Sequence, residues 1–249
     1  MEQIRIDKKG QVYTEAVNLD IQTGETDKNR LIKQFLPNEI FESYGDFEDL
    51  FLINADHLVT NYELTRDIKE ILINVYNQIT GNSFLKIDPG TGRYIEASEA
   101  DRQKGLYIAG PTGTGKTTFC KILFATLSNC VLKFRYSDKI YQFNTICTTE
   151  LLINKEYMKT GDFYFMNRSS LFIDDIGQSK EVSYMGNRLD PLKEIVTERY
   201  DNLKYTFTSF TSNYPINHRA LTDQYGERVA DRIQAMCNYY IINSKNFRR

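Results

Sequence analysis

The sequence predicts an α/β fold in which helices flank a parallel sheet, preceded by a small, mainly helical N-terminal module. Strand and helix patterns alternate from Gly105 onward, which is typical of a parallel sheet covered on both faces. A glycine-rich segment, Gly110–Thr117, separates the first apolar strand from the first helix, and a later apolar strand ends in Asp174 and Asp175. Ligands bind at the carboxyl ends of such strands, so we expect these segments to lie together.

The 249 residues have the composition of a soluble globular protein, with 41% hydrophobic and 26% charged residues. The first residues are too charged for a signal peptide, and no run of about 18 apolar residues could span a bilayer, so we expect a cytoplasmic protein. The four cysteines form no C-x-x-C pair, and only two histidines are present. This argues against a zinc site, a disulfide framework and a nucleophilic triad. We expect Cys120 to be buried as a small apolar side chain.

Charge is unevenly distributed along the chain. Residues 1–100 carry 10 Lys and Arg against 18 Asp and Glu, a net charge of −8, whereas residues 101–249 carry 21 against 15, a net charge of +6. An acidic first part joined to a basic second part suggests a different partner for each. Two ordinary solvated surfaces would give the same statistics.

The N-terminal part shows helical patterning after a polar start. Residues 1–28 are polar and charged, and we expect them to be loosely ordered. In Arg66–Ile79, apolar residues recur every three or four positions, as in an amphipathic helix. Such a stripe normally packs against another helix, and an exposed groove for a partner is the alternative.

The segments that follow predict a domain boundary. Asp88–Arg93 has the residues of a turn, and the polar stretch Glu96–Lys104 those of a linker. We therefore predict a helical, partner-binding module at 1–100 and an α/β domain at 101–249.

The elements predicted in the α/β domain alternate in type. In chain order they are strand Gly105–Ala109, helix Thr117–Phe124, strand Ile140–Cys147, helix Thr148–Met158, strand Ser170–Asp175, helix Asp190–Asn202, strand Tyr205–Phe210, one or two helices in Asn217–Met236, and strand Tyr239–Ile242. Val131–Tyr136 fits either the end of the first helix or a strand of its own.

The glycine-rich segment fits the phosphate-binding loop pattern G-x-x-x-x-G-K-[ST]. A strand that passes through such a loop into a helix directs backbone N–H groups and the positive end of the helix dipole at one point. Lys116 can then bridge the β- and γ-phosphates, and the Thr117 hydroxyl can bind Mg²⁺. The loop predicts that ATP and Mg²⁺ are the cofactors. The residues expected to bind the nucleotide are Gly110, Pro111, Thr112, Gly113, Thr114, Gly115, Lys116, Thr117 and Thr118.

Two carboxylates at the end of an apolar strand predict the second half of the site. Asp174 is expected to act on Mg²⁺ through a water molecule, beside the Thr117 hydroxyl that binds the ion, and Asp175 is expected to polarise the attacking water. Two acids at a strand end also occur as a helix-capping turn, which is the alternative.

Polar residues predicted near the phosphates continue after the next strand. Asn213 can hydrogen-bond the γ-phosphate or the attacking water, although Asn at a strand end also serves turns. Arg228 and Arg232 lie four residues apart on one helix, where a guanidinium could reach the γ-phosphate of a neighbouring subunit. Surface ion pairing with Glu227 and Asp231 is the alternative.

These motifs together resemble the AAA+ ATPases of the DnaC/DnaI helicase-loader group and their IstB-type relatives. The resemblance covers roughly residues 104–243 and includes Phe172–Gly177, Glu198–Tyr200, Thr211–Asn213 and Gly226–Arg232 besides the phosphate loop. It implies that Asn213 is sensor 1 and that Arg232 is an arginine finger, with Arg228 beside it. It also implies a compact AAA+ core, and because the chain ends soon after the finger helix, no lid-domain arginine is expected.

The resemblance implies an ATP-dependent loader of a replicative helicase, of phage or mobile-element origin. The protein would oligomerise on single-stranded DNA, hydrolyse ATP slowly because Asp175 is shorter than the usual Glu, and contact the helicase through its N-terminal module. The polar loop Gln178–Asn187, which contains Lys180, is a candidate DNA contact. The alternatives are an IstB-like ATPase that recruits a transposase to DNA, a small-molecule kinase on the same loop, and an ATP-gated scaffold.

Overall fold

The computed structural model describes residues 41–127, 170–177, 190–202, 207–244 and 247, together with short strands elsewhere. Those strands lie at 2–6, 12–16, 131–133, 140–142, 145–148, 182–184 and 187–189 and are described by their backbone. In the N-terminal part the elements are β1 (Glu2–Ile6), β2 (Val12–Ala16), α1 (Tyr44–Leu58), α2 (Arg66–Thr80), β3 (Leu85–Ile87), β4 (Tyr94–Glu96) and a 3₁₀ helix (Glu99–Gln103).

The elements of the second part include more strands than the sequence predicts, several of them consecutive along the chain. They are β5 (Gly105–Ala109), α3 (Lys116–Leu127), β6 (Val131–Lys133), β7 (Ile140–Gln142), β8 (Thr145–Thr148), β9 (Leu171–Ile176), β10 (Val182–Tyr184), β11 (Asn187–Leu189), α4 (Pro191–Asn202), β12 (Thr208–Ser212), α5 (Arg219–Tyr225), α6 (Glu227–Met236) and β13 (Cys237–Ile241). Among these residues, no helix is long and apolar enough to cross a membrane.

Five of the strands form one parallel sheet in the order β13–β5–β12–β9–β8. The predicted α/β fold with a parallel sheet is therefore confirmed. Parallel neighbours that are not consecutive in sequence need crossover connections, and these connections place helices over the sheet. The order sets β12 between β5 and β9, so that three strands carrying predicted site residues are adjacent.

Alternate residues of β5 supply the cores on the two faces of the sheet. Leu106 and Ile108 belong to a cluster with α1, α2 and α3, whereas Tyr107 and Ala109 belong to a cluster with α4, α5 and α6. This alternation follows from the two-residue period of a strand. All five residues of β5 are buried, which explains why the strand is uniformly apolar rather than amphipathic.

Buried hydroxyl groups characterise the central strand β12. Thr208, Ser209 and Ser212 are buried, and each hydroxyl has a partner: Thr208 accepts from the Arg199 guanidinium, Ser209 accepts from the Leu106 N–H, and Ser212 donates to the Ile176 carbonyl. A buried polar group is tolerated when it is hydrogen-bonded, so these hydroxyls tie β12 to its surroundings.

We expect Gly105→Ala to destabilise the fold severely, because a Cβ at this position would overlap the backbone carbonyl group of Thr208 in the adjacent strand. Both groups lie inside the sheet, so relief requires a shift of one strand, which costs about 1–3 kcal/mol or more. Chemical denaturation of the variant measures the loss. Gly90→Ala is the control, since its nearest neighbour is a side-chain oxygen 3.5 Å away; an equal loss in both variants would contradict this account.

The helices of the N-terminal part pack directly on the α/β part. Phe51 of α1 contacts Phe119 of α3, with ring centroids 5.8 Å apart, and both belong to the cluster that includes α2. Helical structure in this region is confirmed by α1 and α2. The predicted packing of the Arg66–Ile79 stripe is also confirmed, because Ile68, Ile71, Leu72 and Val75 are buried in that cluster. Whether residues 1–100 act as a separate module stays a prediction.

The predicted linker Glu96–Lys104 is wrong, because this stretch is fixed by side chains. Asp101 is buried and forms ion pairs with Lys86 and Lys104 at 2.7 and 2.9 Å. Burial alone would raise the pKa of Asp101, but hydrogen bonds from both lysines and from Ser98 hold the pKa well below its usual range. The polar residues of this stretch supply hydrogen bonds and ion pairs to the buried Asp101 carboxylate, and they do not form a flexible connection.

Other predictions differ from the structure in detail. β1 and β2 pair antiparallel within residues 1–28, which we expected to be loosely ordered. Val131–Tyr136 contains a strand, β6, that pairs with β7, so the predicted strand Ile140–Cys147 is two strands and only β8 joins the main sheet. The loop Gln178–Asn187 contains part of an antiparallel β10–β11 pair.

Two further predictions concern the remaining helices. Asn217–Met236 forms two helices, separated at Gly226, whose φ of +85° favours glycine. Except for Thr148, which ends β8, the predicted helix Thr148–Met158 lies outside the described residues.

Candidate functional site

The carboxyl ends of β5, β12 and β9 meet at one cavity of about 540 Å³. Most of its lining was predicted from the sequence, and Thr211 and Phe247 were not. The lining residues are Thr112, Gly113, Gly115, Lys116, Thr117, Thr118, Asp174, Asp175, Thr211, Asn213 and Phe247. Thr211 could have been found from sequence, because it lies two residues before Asn213 on the same strand end.

The phosphate loop connects β5 to α3 through glycines in conformations that other residues rarely adopt. Gly113 and Gly115 have φ angles of +87° and +85°. A Cβ at Gly110 would overlap the carbonyl oxygen of Ile242, just after β13, so only glycine allows the loop to follow the sheet this closely. α3 begins at Lys116, and its N-terminus therefore opens onto the cavity.

Three predicted nucleotide-binding residues shape the loop without lining the cavity. Thr114 is buried, and its hydroxyl donates to the Pro111 carbonyl across the loop at 2.9 Å. Gly110 and Pro111 direct their carbonyl oxygens toward the Lys116 amine. These contacts fix the curved path of the loop backbone, and the remaining loop residues line the cavity where a ligand would bind.

Lys116 and Asn213 connect the loop to the end of β12. The Lys116 amine donates to the carbonyls of Gly110 and Pro111 at 2.7 and 2.8 Å, and to Asn213 Oδ1 at 2.9 Å. The Asn213 amide nitrogen donates to Asp175 Oδ1 at 3.4 Å. Asn213 thus lies between a cation and a carboxylate, where it can exchange either contact for a ligand.

Thr117 and Asp174 form the oxygen pair expected for a divalent cation. The Thr117 hydroxyl donates to Asp174 Oδ1 at 2.8 Å, and Thr211 donates to the same oxygen. Among the described residues, no group of three or more His, Cys, Asp or Glu could hold a metal. This donor set fits Mg²⁺, which binds to one or two protein oxygens and completes its shell with phosphates and water.

A β-bulge directs both carboxylates into the cavity. Ile173 and Ile176 of β9 pair with Phe210 and Ser212 of β12, so that Asp174 and Asp175 together face the single residue Thr211. Asp175 has a φ of +56°, and its N–H donates to the Thr211 hydroxyl at 2.8 Å. Consecutive strand residues normally point to opposite faces, and the bulge removes this alternation where the site needs two acids.

Tyrosines behind the cavity fix the chain next to the acids and to Asn213. A Cβ at Gly177 would approach the Tyr214 ring to 2.8 Å, and the Gly177 N–H donates to the Tyr225 hydroxyl. Burial raises the pKa of Tyr225 to about 12, so the phenol stays neutral. The Tyr107 hydroxyl donates to the Tyr214 carbonyl.

Cys120 is fully buried in α3, as we predicted, and burial raises the pKa of its thiol well above the usual value. The thiol therefore remains protonated and is not a nucleophile of this site.

The two arginines of α6 lie in different environments. Arg232 is 6% exposed, and its guanidinium bonds both carboxylate oxygens of Asp201 at 2.9 and 3.0 Å and lies over the Tyr200 ring. Arg228 is exposed, and within the described residues it has no ion pair. Neither arginine lines the cavity of its own chain. The role of Arg232 as an arginine finger stays a prediction, and in this structure its guanidinium is bonded to Asp201 of α4.

Comparison with known proteins gives matches to solved structures only. No model of a protein family and no curated protein matches the chain. The crystal structure of the DnaC helicase loader has a TM-score of 0.45 and 23% identity, and the match covers 75% of this chain and 96% of that one. A protein named as a primosome component from Streptococcus pyogenes serotype M3 has a TM-score of 0.45 and 18% identity, covering 78% and 90%. The crystal structure of DnaI has a TM-score of 0.45 and 21% identity, covering 76% and 89%.

Two of these structures belong to the group that the sequence motifs resemble.

Proposed function

We propose that this protein is an ATPase that binds ATP with Mg²⁺ in the cavity at the ends of β5, β12 and β9. The observation that carries the proposal is the pair of contacts across these strand ends, Lys116 with Asn213 and Thr117 with Asp174. A cation, a hydroxyl, a carboxylate and an amide are thereby gathered around a helix N-terminus. Phosphate oxygens and a hard divalent cation require this combination.

Each side chain has a distinct task in this proposal. The loop N–H groups and Lys116 bind the β- and γ-phosphates, and Lys116 exchanges Asn213 for phosphate oxygen when ATP enters. Thr117 and Asp174 hold Mg²⁺, which neutralises charge on the phosphates. Asp175 accepts the proton of the attacking water, and Asn213, already bonded to Asp175, orients that water against the γ-phosphate.

Asp175→Asn is expected to retain ATP binding and to lower phosphate release by about 10²- to 10⁴-fold, because it removes the proton acceptor and leaves the phosphate contacts. Calorimetry measures the binding and a phosphate assay the turnover. Asp223→Asn, on the exposed surface of α5, is the control and should hydrolyse ATP at the wild-type rate. If wild-type protein fails to bind ATP with Mg²⁺, or if Asp175→Asn turns over normally, the assignment of the site or of the base is wrong.

We further propose that ATP binding and hydrolysis serve to load a replicative helicase on single-stranded DNA, with several copies of the chain assembled on the strand. The support is the combination of motifs that ordinary phosphate-loop proteins lack, at Glu198–Tyr200, Thr211–Asn213 and Gly226–Arg232. The exposed Arg228 supports assembly, since it is available to a second subunit.

Single-stranded DNA tests this role. We expect it to stimulate ATP hydrolysis and to bring the chains into larger assemblies, and affinity capture from host cells should recover a helicase. Recovery of a transposase with preference for double-stranded DNA would favour the IstB-like alternative. A lack of response to DNA, with phosphate transfer to a small molecule, would favour a kinase.

A further inference from the structure

Phe247 lies across the phosphate loop although it is far from the loop in sequence. Its backbone N–H donates to the Gly113 carbonyl at 3.0 Å. Its ring lies against Gly115, at 3.7 Å from where a Cβ of Gly115 would be, and the residue is 41% exposed. A large apolar side chain is therefore held over a loop that otherwise presents polar groups.

A second cavity adjoins the phosphate cavity at this ring. Its volume is about 210 Å³, and it shares Gly115, Thr118 and Phe247 with the phosphate cavity. The turn between α1 and α2 supplies Val59, Thr60, Asn61, Tyr62 and Glu63 to its wall, and α2 supplies Ile68. The two cavities therefore adjoin at the N-terminus of α3.

The positions of the polar groups set the direction in which a nucleotide would lie. Lys116, Asp175 and Asn213 gather at one side of the helix N-terminus, where the γ-phosphate belongs. Thr118 follows the magnesium-binding Thr117 and lines both cavities, so the α-phosphate end lies on its side. Beyond the α-phosphate come the ribose and the base, and the second cavity is in that direction.

We propose that the second cavity receives the base of the nucleotide and that Phe247 stacks on it, which makes Phe247 a binding residue for the base. The inference rests on the proposed ATP site and adds its base subsite. A planar base requires an apolar surface on its face and polar groups at its edge. Phe247 and Val59 supply the apolar surface, and the backbone of the turn at 60–63 supplies the polar groups.

The test compares ATP with inorganic tripolyphosphate, each titrated with Mg²⁺ into the full-length chain by calorimetry. The two ligands share the phosphates, and only ATP has a base. We expect Phe247→Ala to weaken ATP binding about 10-fold, since a base stacked on an aromatic side chain contributes about that much. Tripolyphosphate binding should stay within about twofold, and Phe247→Tyr, which keeps the ring, should bind ATP nearly as the wild type does.

A variant in the turn between α1 and α2 gives a second, independent measurement. Val59→Trp narrows the cavity from the side of α1, and we expect it to weaken ATP binding without affecting tripolyphosphate. Circular dichroism and thermal melting of both variants establish that they are folded. Both side chains are partly exposed, so neither substitution opens a hole in the core.

Several outcomes would overturn the inference. Equal weakening of both ligands in Phe247→Ala would mean that the residue only shapes the phosphate loop, and tighter binding of both would mean that it obstructs the site. Wild-type protein that binds tripolyphosphate as tightly as ATP would have no base subsite. Wild-type protein that binds neither ligand would refute the ATP site itself, which distinguishes failure of the proposed function from failure of this subsite.

Discussion

Lys116→Ala is expected to weaken ATP binding by about 10- to 100-fold and to reduce hydrolysis to background. The lysine amine belongs to the phosphate loop, and it is positioned by two loop carbonyls and by Asn213. A charged hydrogen bond of this kind contributes about 1.5–3 kcal/mol to binding. The amine also offsets charge that develops in the transition state. Removal of such a donor lowers the turnover rate by about a further 10²- to 10³-fold.

The control for this variant is Lys121→Ala, because Lys121 is an exposed lysine on the same helix. Its removal changes the net charge and the helix composition in the same way and leaves the cavity intact. Binding is measured by calorimetry and turnover by phosphate release. Wild-type ATP affinity in Lys116→Ala, with normal folding by circular dichroism, would contradict the assignment of the phosphate loop.

Arg228→Ala is expected to reduce hydrolysis by the assembled protein by about 10³-fold while ATP binding is retained. A guanidinium from an adjacent subunit stabilises charge that develops on the γ-phosphate in the transition state, and losses of this size follow its removal. Of the two arginines that the sequence suggests, Arg228 is exposed and Arg232 is bonded to Asp201. Only the first can reach another subunit without breaking a contact within its own chain.

Arg232→Ala should act on stability instead. It removes a guanidinium bonded to both oxygens of Asp201 and packed on Tyr200, and so it disconnects α6 from α4. We expect a loss of about 1.5–3 kcal/mol in the free energy of unfolding, toward the lower value because Asp201 is half-exposed and can be hydrated. Thermal and chemical denaturation measure this effect, and Arg228→Ala should leave stability unchanged.

A mixing experiment separates the two arginines. Lys116→Ala subunits bind ATP weakly and do not hydrolyse it but still carry Arg228, and Arg228→Ala subunits bind ATP but lack the guanidinium. If the guanidinium acts across subunits, a mixture of the two inactive variants should regain part of the wild-type turnover. A mixture that stays inactive, or a stable Arg232→Ala variant that has lost turnover while Arg228→Ala has not, would return the role to Arg232.

The parts of the site that sequence predicts are those governed by local chemistry. The phosphate loop needs glycines before Lys116 and a helix after it, and the paired acids need an apolar strand before them, so both are visible in a short stretch of residues. The assembly of these pieces in one cavity also follows from the sequence, because carboxyl ends of parallel strands meet at one edge. The cavity lining confirms this placement for Lys116, Asp174, Asp175 and Asn213.

The parts that sequence did not predict depend on contacts between distant residues. Arg232 has the spacing of a surface residue on α6, and only the fold shows that Asp201, 31 positions away, accepts its hydrogen bonds. Phe247 likewise has no local signal for its place on the loop. The stretch Glu96–Lys104 is polar because it surrounds Asp101 and its two lysines, which composition alone cannot distinguish from a linker.

The position of β12 in the sheet has a consequence for how the protein can respond to its ligand. This strand is hydrogen-bonded along both edges, to β5 and to β9, and its buried hydroxyls anchor it further. Local opening of such a strand requires disruption of the sheet. We therefore expect β12 to lose its hydrogen bonds only when the whole domain unfolds. Asn213 is therefore carried on a rigid support, and the difference between bound and free states must arise from rotation of its side chain and from the segments at the margin of the sheet.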